Sequence, residues 1–333
     1  MDPLTQGVLG ASLSQSVSNK NHLLVAGALG MLSGMAPDLD VLIQSSNDPL
    51  LFLEYHRQFT HSLLFIPFGS LLCGLVLHPL ITKRQGFSFK QSWLYCALGY
   101  STHALLDACT TYGTQLLWPL STERFAWNTI SVIDPLFTLP LLILLFFATL
   151  KRAPWLARIA FAWALLYPSL GMIQRDRAET AGWHLAQQRQ HTPTRLEAKP
   201  SFGNILLWKV VYETEHRYFV DAVRVGTSVK TYPGESITKL KISRDLPWLT
   251  PDSQQAKDIE RFRRFSDDYL AQDPNDAMRI IDVRYSMIPN QINALWSIEI
   301  SPSAHADEHA EYMTHRDNSA SNRQIFYEML FDF

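Results

Sequence analysis

Residues 139–150 read LPLLILLFFATL, a run without a charged side chain. A bilayer core about 30 Å thick needs roughly 20 apolar residues in helical form, and the largely apolar stretch before this run extends it back to Ile130. We therefore predict a membrane-spanning helix over Ile130–Leu150. This segment makes the chain a membrane protein, although the mean hydropathy of the full length is near zero.

Four other stretches are apolar enough, or nearly so, to cross a bilayer. A weaker helix of apolar and small residues is expected over Leu4–Val17, either entering the membrane or lying on it. The further spans are predicted at His22–Ile43, Leu63–Ile81, Trp93–Cys109 and Trp155–Ile173.

Charged residues divide the chain into two parts. They are sparse in the first half and dense from Arg175 onward, so we expect a transmembrane domain over residues 1–174 and a soluble domain over 175–333. In the second part, TPDSQQAKDIERFRRFSDDYL (250–270) predicts a capped helix. The runs that predict strands are NILLWKVVYET (204–214), RYFVDAVRV (217–225) and NALWSIEIS (293–301).

The predicted fold class is an all-α polytopic membrane bundle of about five transmembrane helices plus an N-terminal helix, followed by a soluble α+β domain. The soluble part has no catalytic motif, and its His and Asp residues are expected at the surface. The formal net charge of −2 excludes a nucleic-acid partner. Three cysteines lack the paired spacing of a thiolate metal site and are expected to fill apolar space: Cys73, Cys96 and Cys109.

Basic loops orient the bundle. Spans two and three, and spans four and five, are joined by loops that lie on the same side of an alternating bundle, and the positive-inside rule makes that side cytoplasmic. The soluble domain then lies in the periplasm of a bacterial cell, attached to a multi-pass protein of the inner membrane. The basic residues of these two loops are Lys83, Arg84, Lys90, Lys151 and Arg152.

Ionisable residues gather at the outward ends of four predicted spans. A charge at the bilayer centre costs about 2.5–3.5 kcal/mol, and one divalent cation would compensate several carboxylates and imidazoles at once. The residues concerned are Asp38 and Asp40 after span one, HRQFTHS (56–62) before span two, HALLD (103–107) in span three, and Asp134 before span four.

The spacing of these residues favours a shared metal. His103 and Asp107 are four apart and lie on one helix face, and Pro37 interrupts the helix before the two aspartates. Mixed His and Asp ligands suit zinc or another first-row metal better than calcium. We predict a divalent metal, with zinc favoured, at Asp38, Asp40, His61, His103 and Asp107.

Each element of this pattern also has an alternative interpretation as a purely structural feature. A membrane histidine can be a hydrogen-bonded packing residue, the aspartates after Pro37 can form an interfacial loop, and HRQFTHS can be a capped helix start. Asp134 precedes Pro135, a pattern that fits a helix cap at least as well as a catalytic role.

Five ordered motifs carry a family resemblance. MDPLTQGVLGA (1–11), APDLD (36–40), HRQFTHS, HALLDACTTYGTQLLWP (103–119) and IDP (133–135) together resemble the YdjM/YfhP-like family of membrane-bound metal-dependent hydrolases, over about residues 1–150. The hydrolase assignment of that family is itself inferred. Relatives often have Thr-His where this chain has Thr5-Gln6, and glutamine is a poor zinc ligand. The resemblance implies ligand or catalytic roles for Asp38, Asp40, His56, His61, His103 and Asp107.

The leading hypothesis is a metal-dependent hydrolase at the outer face of the membrane. A metal lowers the pKa of a bound water toward neutrality; Asp38 or Asp40 would act as a general base or bridge a second metal, and His56 would protonate a leaving group. The position at the membrane surface favours a lipid-linked or amphiphilic substrate, such as a phosphoester. The residues expected to position that substrate are Arg57, which suits phosphate, Thr60 and Ser62.

Two rival functions are open. Intramembrane His and Asp residues also mark metal or proton paths in transporters, but here they cluster at one face. A polar path continuing to the cytoplasmic end would favour transport. The other rival is a non-enzymatic scaffold with a structural metal site, whose soluble domain binds a periplasmic partner.

Overall fold

The computed structural model describes residues 1–331 and divides the chain into two compact units. The first comprises Met1–Leu42, Tyr55–Ile173 and Phe202–Ile205, and the second comprises Ile43–Glu54, Gln174–Ser201 and the residues from Leu206 onward. Ile43–Glu54, which lies between the first two predicted spans, belongs to the second unit. A domain boundary at residue 174 stays a prediction.

Helices dominate the N-terminal region. Short 3-10 turns at Ala36–Leu42, Phe59–His61, Leu63–Phe65 and Lys83–Gln85, and a π-helical turn at His78–Thr82, extend or connect the helices. The α-helices are α1 (Pro3–Ser16), α2 (Leu23–Met35), α3 (Leu51–Tyr55), α4 (Ile66–Leu77), α5 (Phe89–Ala108), α6 (Pro135–Leu150) and α7 (Pro154–Gln188).

Three helical stretches within residues 1–331 are long and apolar enough to cross a membrane: Leu23–Leu42, Leu63–Gln85 and Pro154–Gln188. Two details differ from the sequence prediction. Helix α6 begins at Pro135 rather than Ile130 and has 16 residues. Helix α7 does not end at Ile173 but continues to Gln188, so that it has 35 residues in all, and Gly182 lies within it without ending it.

Backbone-to-backbone contact holds α1, α2 and α5 together. A Cβ atom added at Gly10 or Gly99 would collide with the carbonyl oxygen of Gly30 on α2. Small residues at helix interfaces permit such close approach in membrane bundles. This contact buries α1, although the helix is rich in polar residues, and brings Gln6 against α5.

The second unit contains two antiparallel sheets. One is formed by β1 (Arg195–Pro200), β2 (Leu207–Glu213), β3 (Arg217–Val225) and β4 (Val229–Tyr232) in that order, with β5 (Ser236–Thr238) also paired to β3; the other is ordered β6 (Leu270–Asp273), β7 (Asp276–Asp282), β8 (Trp296–Glu299) and β9 (Glu311–Thr314). Its helices are the end of α7, α8 (Ile242–Asp245), α9 (Gln254–Phe265) and α10 (Ala320–Phe331).

Both sheets contribute to one apolar core, which includes Val211 and Val220 from the first and Ile281 from the second. The predicted strands β2, β3 and β8 and the predicted helix α9 are confirmed. The expectation that the Asp residues here lie at the surface is wrong for three of them. Each is fully buried and paired with an arginine: Asp221 with Arg189, Asp258 with Arg261, and Asp282 with Arg284.

Candidate metal centre

Three elements of the first unit supply the candidate ligands. Pro37 follows the end of α2, and the chain continues as the 3-10 turn that carries Asp38 and Asp40. His61 is the last residue of the turn Phe59–His61, and α5 carries the other two ligands one turn apart. Four residues bring one ligand atom each to within 4.8 Å of the others: Asp38, His61, His103 and Asp107.

The spacing of the four atoms fits one small cation. Nε2 of His61 and Nε2 of His103 are 2.8 Å apart. Oδ1 of Asp38 lies 3.6 and 3.4 Å from these nitrogens, and Oδ2 of Asp107 lies 3.3 and 3.8 Å from them. Tetrahedral ligands bonded at about 2.0 Å are about 3.3 Å apart, so the observed separations bracket the expected value.

The imidazole rings are held with their Nε2 atoms as acceptors. Nδ1 of His103 donates to the carbonyl oxygen of Gly34 at 2.6 Å, because a carbonyl can only accept. Nδ1 of His61 lies 3.0 Å from Oγ1 of Thr60, which donates its own proton to Asp40, and 3.2 Å from a carboxylate oxygen of Asp40. When both rings are neutral in these tautomers, the lone pairs of the two Nε2 atoms point at each other. A single shared proton would bridge only these two nitrogens. A tetrahedral metal ion would bind all four converging ligand atoms.

Asp107 has one satisfied oxygen and one unsatisfied oxygen. Oδ1 accepts from Gln6 Nε2 at 2.9 Å and from the α-amino group of Met1. Oδ2 is buried without a hydrogen-bond partner, and so is Nε of Arg57, which lies 3.1 Å away in poor hydrogen-bond geometry. A buried carboxylate oxygen without a donor is costly, and a cation at the Nε2 atoms would satisfy it.

Asp40 accepts hydrogen bonds from residues next to the candidate ligand His61. Its Oδ1 accepts from His56 Nδ1 at 2.7 Å, and its Oδ2 accepts from the Arg57 amide at 3.0 Å and from Thr60 Oγ1 at 2.8 Å. Arg57 has a φ of 64°, a left-handed conformation rare outside glycine. This turn directs the three donors and His61 at one carboxylate. A carboxylate that orients a ligating imidazole through its other nitrogen is a recurrent partner in metal sites.

A second group of possible ligands consists of Asp38, Asp40 and His56, also within 4.8 Å of one another. Both oxygens of Asp40 already accept hydrogen bonds, so this group is satisfied without a metal. The group of Asp38, His61, His103 and Asp107 contains the unsatisfied carboxylate oxygen and the two facing Nε2 lone pairs, and it is therefore the better candidate for a metal site.

The model of the YdjM inner membrane protein family matches residues 1–178, which contain every residue of this centre. The chain belongs to this family. Membership confirms the resemblance seen in the ordered motifs. The family description, together with the apolar helices, indicates an inner-membrane location.

Two relatives are similar over shorter stretches. The uncharacterized protein YfhP of Bacillus subtilis (strain 168) is 29% identical over 142 residues, which cover 40% of this chain and 42% of YfhP. The inner membrane protein YbcI of Escherichia coli (strain K12) is 36% identical over 109 residues, which cover 31% of this chain and 60% of YbcI. The chain thus spans less than two thirds of either relative. No solved structure matches it.

The other predicted site residues of this YdjM-family protein have defined contacts. Ser62 Oγ donates to the carbonyl oxygen of Trp118 and caps the next turn. Asp134 is the N-cap of α6 and also accepts from the Tyr167 hydroxyl with both oxygens, so the capping role is confirmed. Neither residue belongs to a ligand group found within residues 1–331.

Two contributors were not found by sequence reasoning. Gln6 binds Asp107 through its side-chain nitrogen, and the Gly34 carbonyl fixes the His103 ring. The glutamine at position 6, where relatives often have histidine, marked this position as a possible metal ligand. It did not indicate that the side chain would donate a hydrogen bond to Asp107. A backbone carbonyl leaves no mark in the residue pattern.

Proposed function

We propose that this protein is a metal-dependent hydrolase of the bacterial inner membrane, acting at the outer face on a lipid-linked or phosphoester substrate. The observation that carries the proposal is the 2.8 Å approach of two Nε2 acceptors, with two carboxylate oxygens at tetrahedral distances. Two imidazoles and two carboxylates suit zinc or a similar first-row metal. When bound, that metal would supply a Lewis acid and an activated water.

The ligands differ in their access to solvent. The side chains of His61, His103 and Asp107 are fully buried, whereas Asp38 is 16% exposed. Catalytic zinc sites commonly use three protein ligands and keep one position for water or substrate. The three buried residues would hold the metal, and substrate and water would enter beside Asp38.

His56 is placed to move a proton. Its Nδ1 is held by Asp40, and the side chain is 30% exposed, which leaves Nε2 as the nitrogen that would protonate a leaving group. Arg57 would bind the anionic part of the substrate, although its Nε also lies beside Asp107. Thr60 and Ser62 would position the substrate at the same turn.

Exposed leucines next to the ligands favour an amphiphilic substrate. Leu39, between the two aspartates, is 64% exposed, and Leu63 and Leu64, which follow the buried Ser62, are 37% and 52% exposed. Large apolar side chains exposed beside a polar site mark a surface that contacts lipid or another apolar partner. We propose that acyl chains of membrane lipids or of a lipid-linked substrate contact these side chains: Leu39, Leu42, Leu63 and Leu64.

We propose a topology of five spans in which α5 is less apolar than the other spans and α6 is shorter than they are. The basic loops would lie in the cytoplasm and the second unit in the periplasm. Alkaline phosphatase fused to the C-terminus of the full-length chain should be active, and green fluorescent protein at the same place should be dark. The reverse result would move the site to the cytoplasmic face and remove the substrate argument.

A transporter is less well supported. Buried polar residues continue along α1, α2 and α5, but they are neutral, and their hydroxyls donate to backbone carbonyls, as Ser14 does to Tyr95 and Ser33 does to Leu29. Within residues 1–174 of the described structure, the buried Asp, His and Arg side chains all lie at the predicted outward end: Asp40, Arg57, His61, His103, Asp107 and Asp134.

Metal analysis and hydrolysis assays test the proposal together. The full-length protein should purify with a divalent first-row metal, and the double variant His103→Ala, Asp107→Ala should lose it. The control His315→Ala, Asp273→Ala changes the same residue types in the second unit and should keep it. The wild type should also cleave nitrophenyl phosphodiesters, faster with a long alkyl chain than with a short one.

His56→Gln and Arg57→Gln should keep most of the metal while losing hydrolysis. If both instead behave as wild type, and metal removal unfolds the bundle, the centre is structural and the hydrolase proposal fails. A wild-type protein that purifies without metal and does not take up cobalt would contradict the metal site itself.

A further inference from the structure

Residues 43–54 connect two halves of the candidate metal centre. Asp40 lies just before this segment and His56 just after it, yet the segment belongs to the second unit. Asp40 and His56 are joined by a 2.7 Å hydrogen bond. Contacts that fix the segment therefore also restrict the positions of Asp40 and His56.

Arg261, on α9 of the second unit, holds the segment at two carboxylates. Its two terminal nitrogens donate to the two oxygens of Asp48 at 2.9 Å each, and its Nε donates to Glu54 at 2.6 Å. Bidentate pairing of a guanidinium with a carboxylate fixes direction as well as distance. One side chain thus fixes both the middle and the C-terminal end of the segment.

Arg261 is itself held in place by Asp258. The Asp258 carboxylate is fully buried and accepts from Arg261 at 2.9 Å, from His309 Nδ1 at 2.8 Å and from the Ala310 amide at 3.0 Å. With a donor on each oxygen, the carboxylate keeps one orientation. Arg261 is consequently anchored to a fully buried carboxylate of the second unit.

Apolar contacts add to these ion pairs. Leu50 is fully buried and Leu53 nearly so. The ring of Phe52 packs edge-on against Tyr312, with centroids 5.1 Å apart. The segment is therefore an integrated part of the second unit rather than a free loop.

We propose that the second unit is a positioning element for the metal centre, and that Arg261 sets the placement of His56 against Asp40 through residues 43–54. This inference rests on the metal site of the proposed function. Asp40 in turn orients His61, so a loosened segment would weaken metal binding. A free segment would have to be ordered when metal binds, and the lost conformational entropy opposes binding.

The test compares Arg261→Gln with Arg279→Gln in the full-length protein. Arg279 also forms ion pairs within the second unit, to Asp273 and Asp276, but does not contact the segment. Cobalt titration followed by visible absorption should show about tenfold weaker binding for Arg261→Gln, the lower end of the loss for outer-shell partners. Arg279→Gln should match the wild type.

Hydrogen exchange supplies an independent reading. Amides of residues 55–61 should exchange faster in Arg261→Gln than in Arg279→Gln. Arg261→Lys should recover only part of the cobalt affinity, because an ammonium cannot pair bidentately. Asp48→Asn, which keeps the second unit's own core intact, should weaken cobalt binding in the same direction as Arg261→Gln.

Three outcomes decide the proposal. Equal cobalt affinity and equal exchange in Arg261→Gln, Asp48→Asn and Arg279→Gln would overturn it. If Arg261→Gln exposes β2 and β3 to exchange, the unit has unfolded, and Asp48→Asn alone decides. If the wild type binds no cobalt, the proposed function fails, while faster exchange at residues 55–61 in Arg261→Gln still supports the positioning role.

Discussion

Each unit buries a cluster of Asp, His and Arg side chains, and the two clusters differ in their balance of donors and acceptors. In the second unit, both oxygens of Asp258 accept from donors, including Arg261 and His309. In the first unit, the Nε2 atoms of two histidines face each other, and Asp107 Oδ2 has no hydrogen-bond partner.

The comparison teaches what separates a candidate metal site from an ion-pair network. The residue types do not separate them, since carboxylates, an arginine and imidazole occur in both clusters. A cluster whose donors and acceptors match is complete without a ligand, whereas converging acceptors need a cation. Of the predictions below, those at Asp107 and Asp40 change the first cluster and should lower metal affinity, and the one at Asp258 changes the second cluster and should lower stability. Lys209 and Asp134 lie outside both clusters.

The largest effect is expected from Asp107→Asn. This change removes a ligand charge, so metal affinity should fall by more than the roughly 10–100-fold typical of outer-shell partners. Cobalt titration of the solubilised full-length protein measures it. The same change at Asp258 should cost less than a factor of ten in cobalt affinity, and equal losses at both positions would erase the distinction between the clusters.

Asp258→Asn should act on stability instead. Removing one partner of a buried ion pair costs about 3–5 kcal/mol, and Arg261 is 16% exposed, so we expect the lower end, about 3 kcal/mol. Urea unfolding of the second unit, followed by hydrogen exchange in β2 and β3, would measure this loss. Wild-type stability in this variant would show that the network contributes little to the unit.

Asp40→Asn should lower cobalt affinity by roughly 10–100-fold, because Asp40 orients His61 without being one of the four best-placed ligands. Ser62→Ala is the matched control, since Ser62 bonds the carbonyl of Trp118 and not the ligands. A loss as large as that of Asp107→Asn would instead make Asp40 a direct ligand.

Lys209 is a buried residue whose hydrogen-bond acceptors within residues 1–331 are both neutral, namely Ser286 Oγ and the carbonyl oxygen of Gln291. Burial lowers the pKa of its ammonium group from 10.5 to about 7, although nearby carboxylates such as Glu235 oppose this. Between these values the unfolded chain binds more protons, so the free energy of unfolding should rise with pH by up to about 1.4 kcal/mol per unit.

Urea unfolding of the second unit at pH 7, 8 and 9 would measure this rise, and Lys209→Met should remove it. The stabilisation is therefore gained as the pH rises above 7, with the same sign as for a carboxylate of lowered pKa, because in both cases the folded state binds fewer protons than the unfolded chain. Parallel pH profiles for the variant and the wild type would mean that Lys209 keeps its proton in the folded protein.

The smallest effect is expected from Asp134→Asn. Asparagine caps a helix nearly as well as aspartate, and its oxygen can still accept from Tyr167. We expect unchanged metal content and a loss of stability within about 1 kcal/mol. Metal analysis and thermal unfolding of the variant check this, and a loss of metal would make Asp134 a ligand.

The apolar runs located several elements of the fold from sequence alone. Leu63–Gln85 and the start of α7 follow directly from hydrophobic stretches of bilayer length. The end of α7 did not, because residues 175–188 continue the helix with charged side chains that resemble a soluble tail. The membership of residues 43–54 in the second unit depends on contacts to Arg261, more than 200 positions away, and no local pattern reports such contacts.

For the candidate site, the sequence brought together Asp38, His61, His103 and Asp107, because each lies at the predicted outward end of its span. The sequence could not tell which of the candidate residues would be direct ligands and which would support them through hydrogen bonds. That Asp40 accepts from donors on both oxygens, and that the Arg57 side chain lies against Asp107, depends on the left-handed turn at Arg57. Nothing in the residue type predicts that turn, since arginine seldom adopts it.

The glycine contact among α1, α2 and α5 has a consequence for how the protein is made. Gly34 on α2 fixes the His103 ring on α5, and Gln6 on α1 holds Asp107 on the same helix. These bonds form only after all three helices have packed against one another. A metal that binds at the proposed centre would therefore be loaded late in biogenesis, because a nascent chain in which α5 has not yet packed against α1 and α2 lacks the assembled ligands.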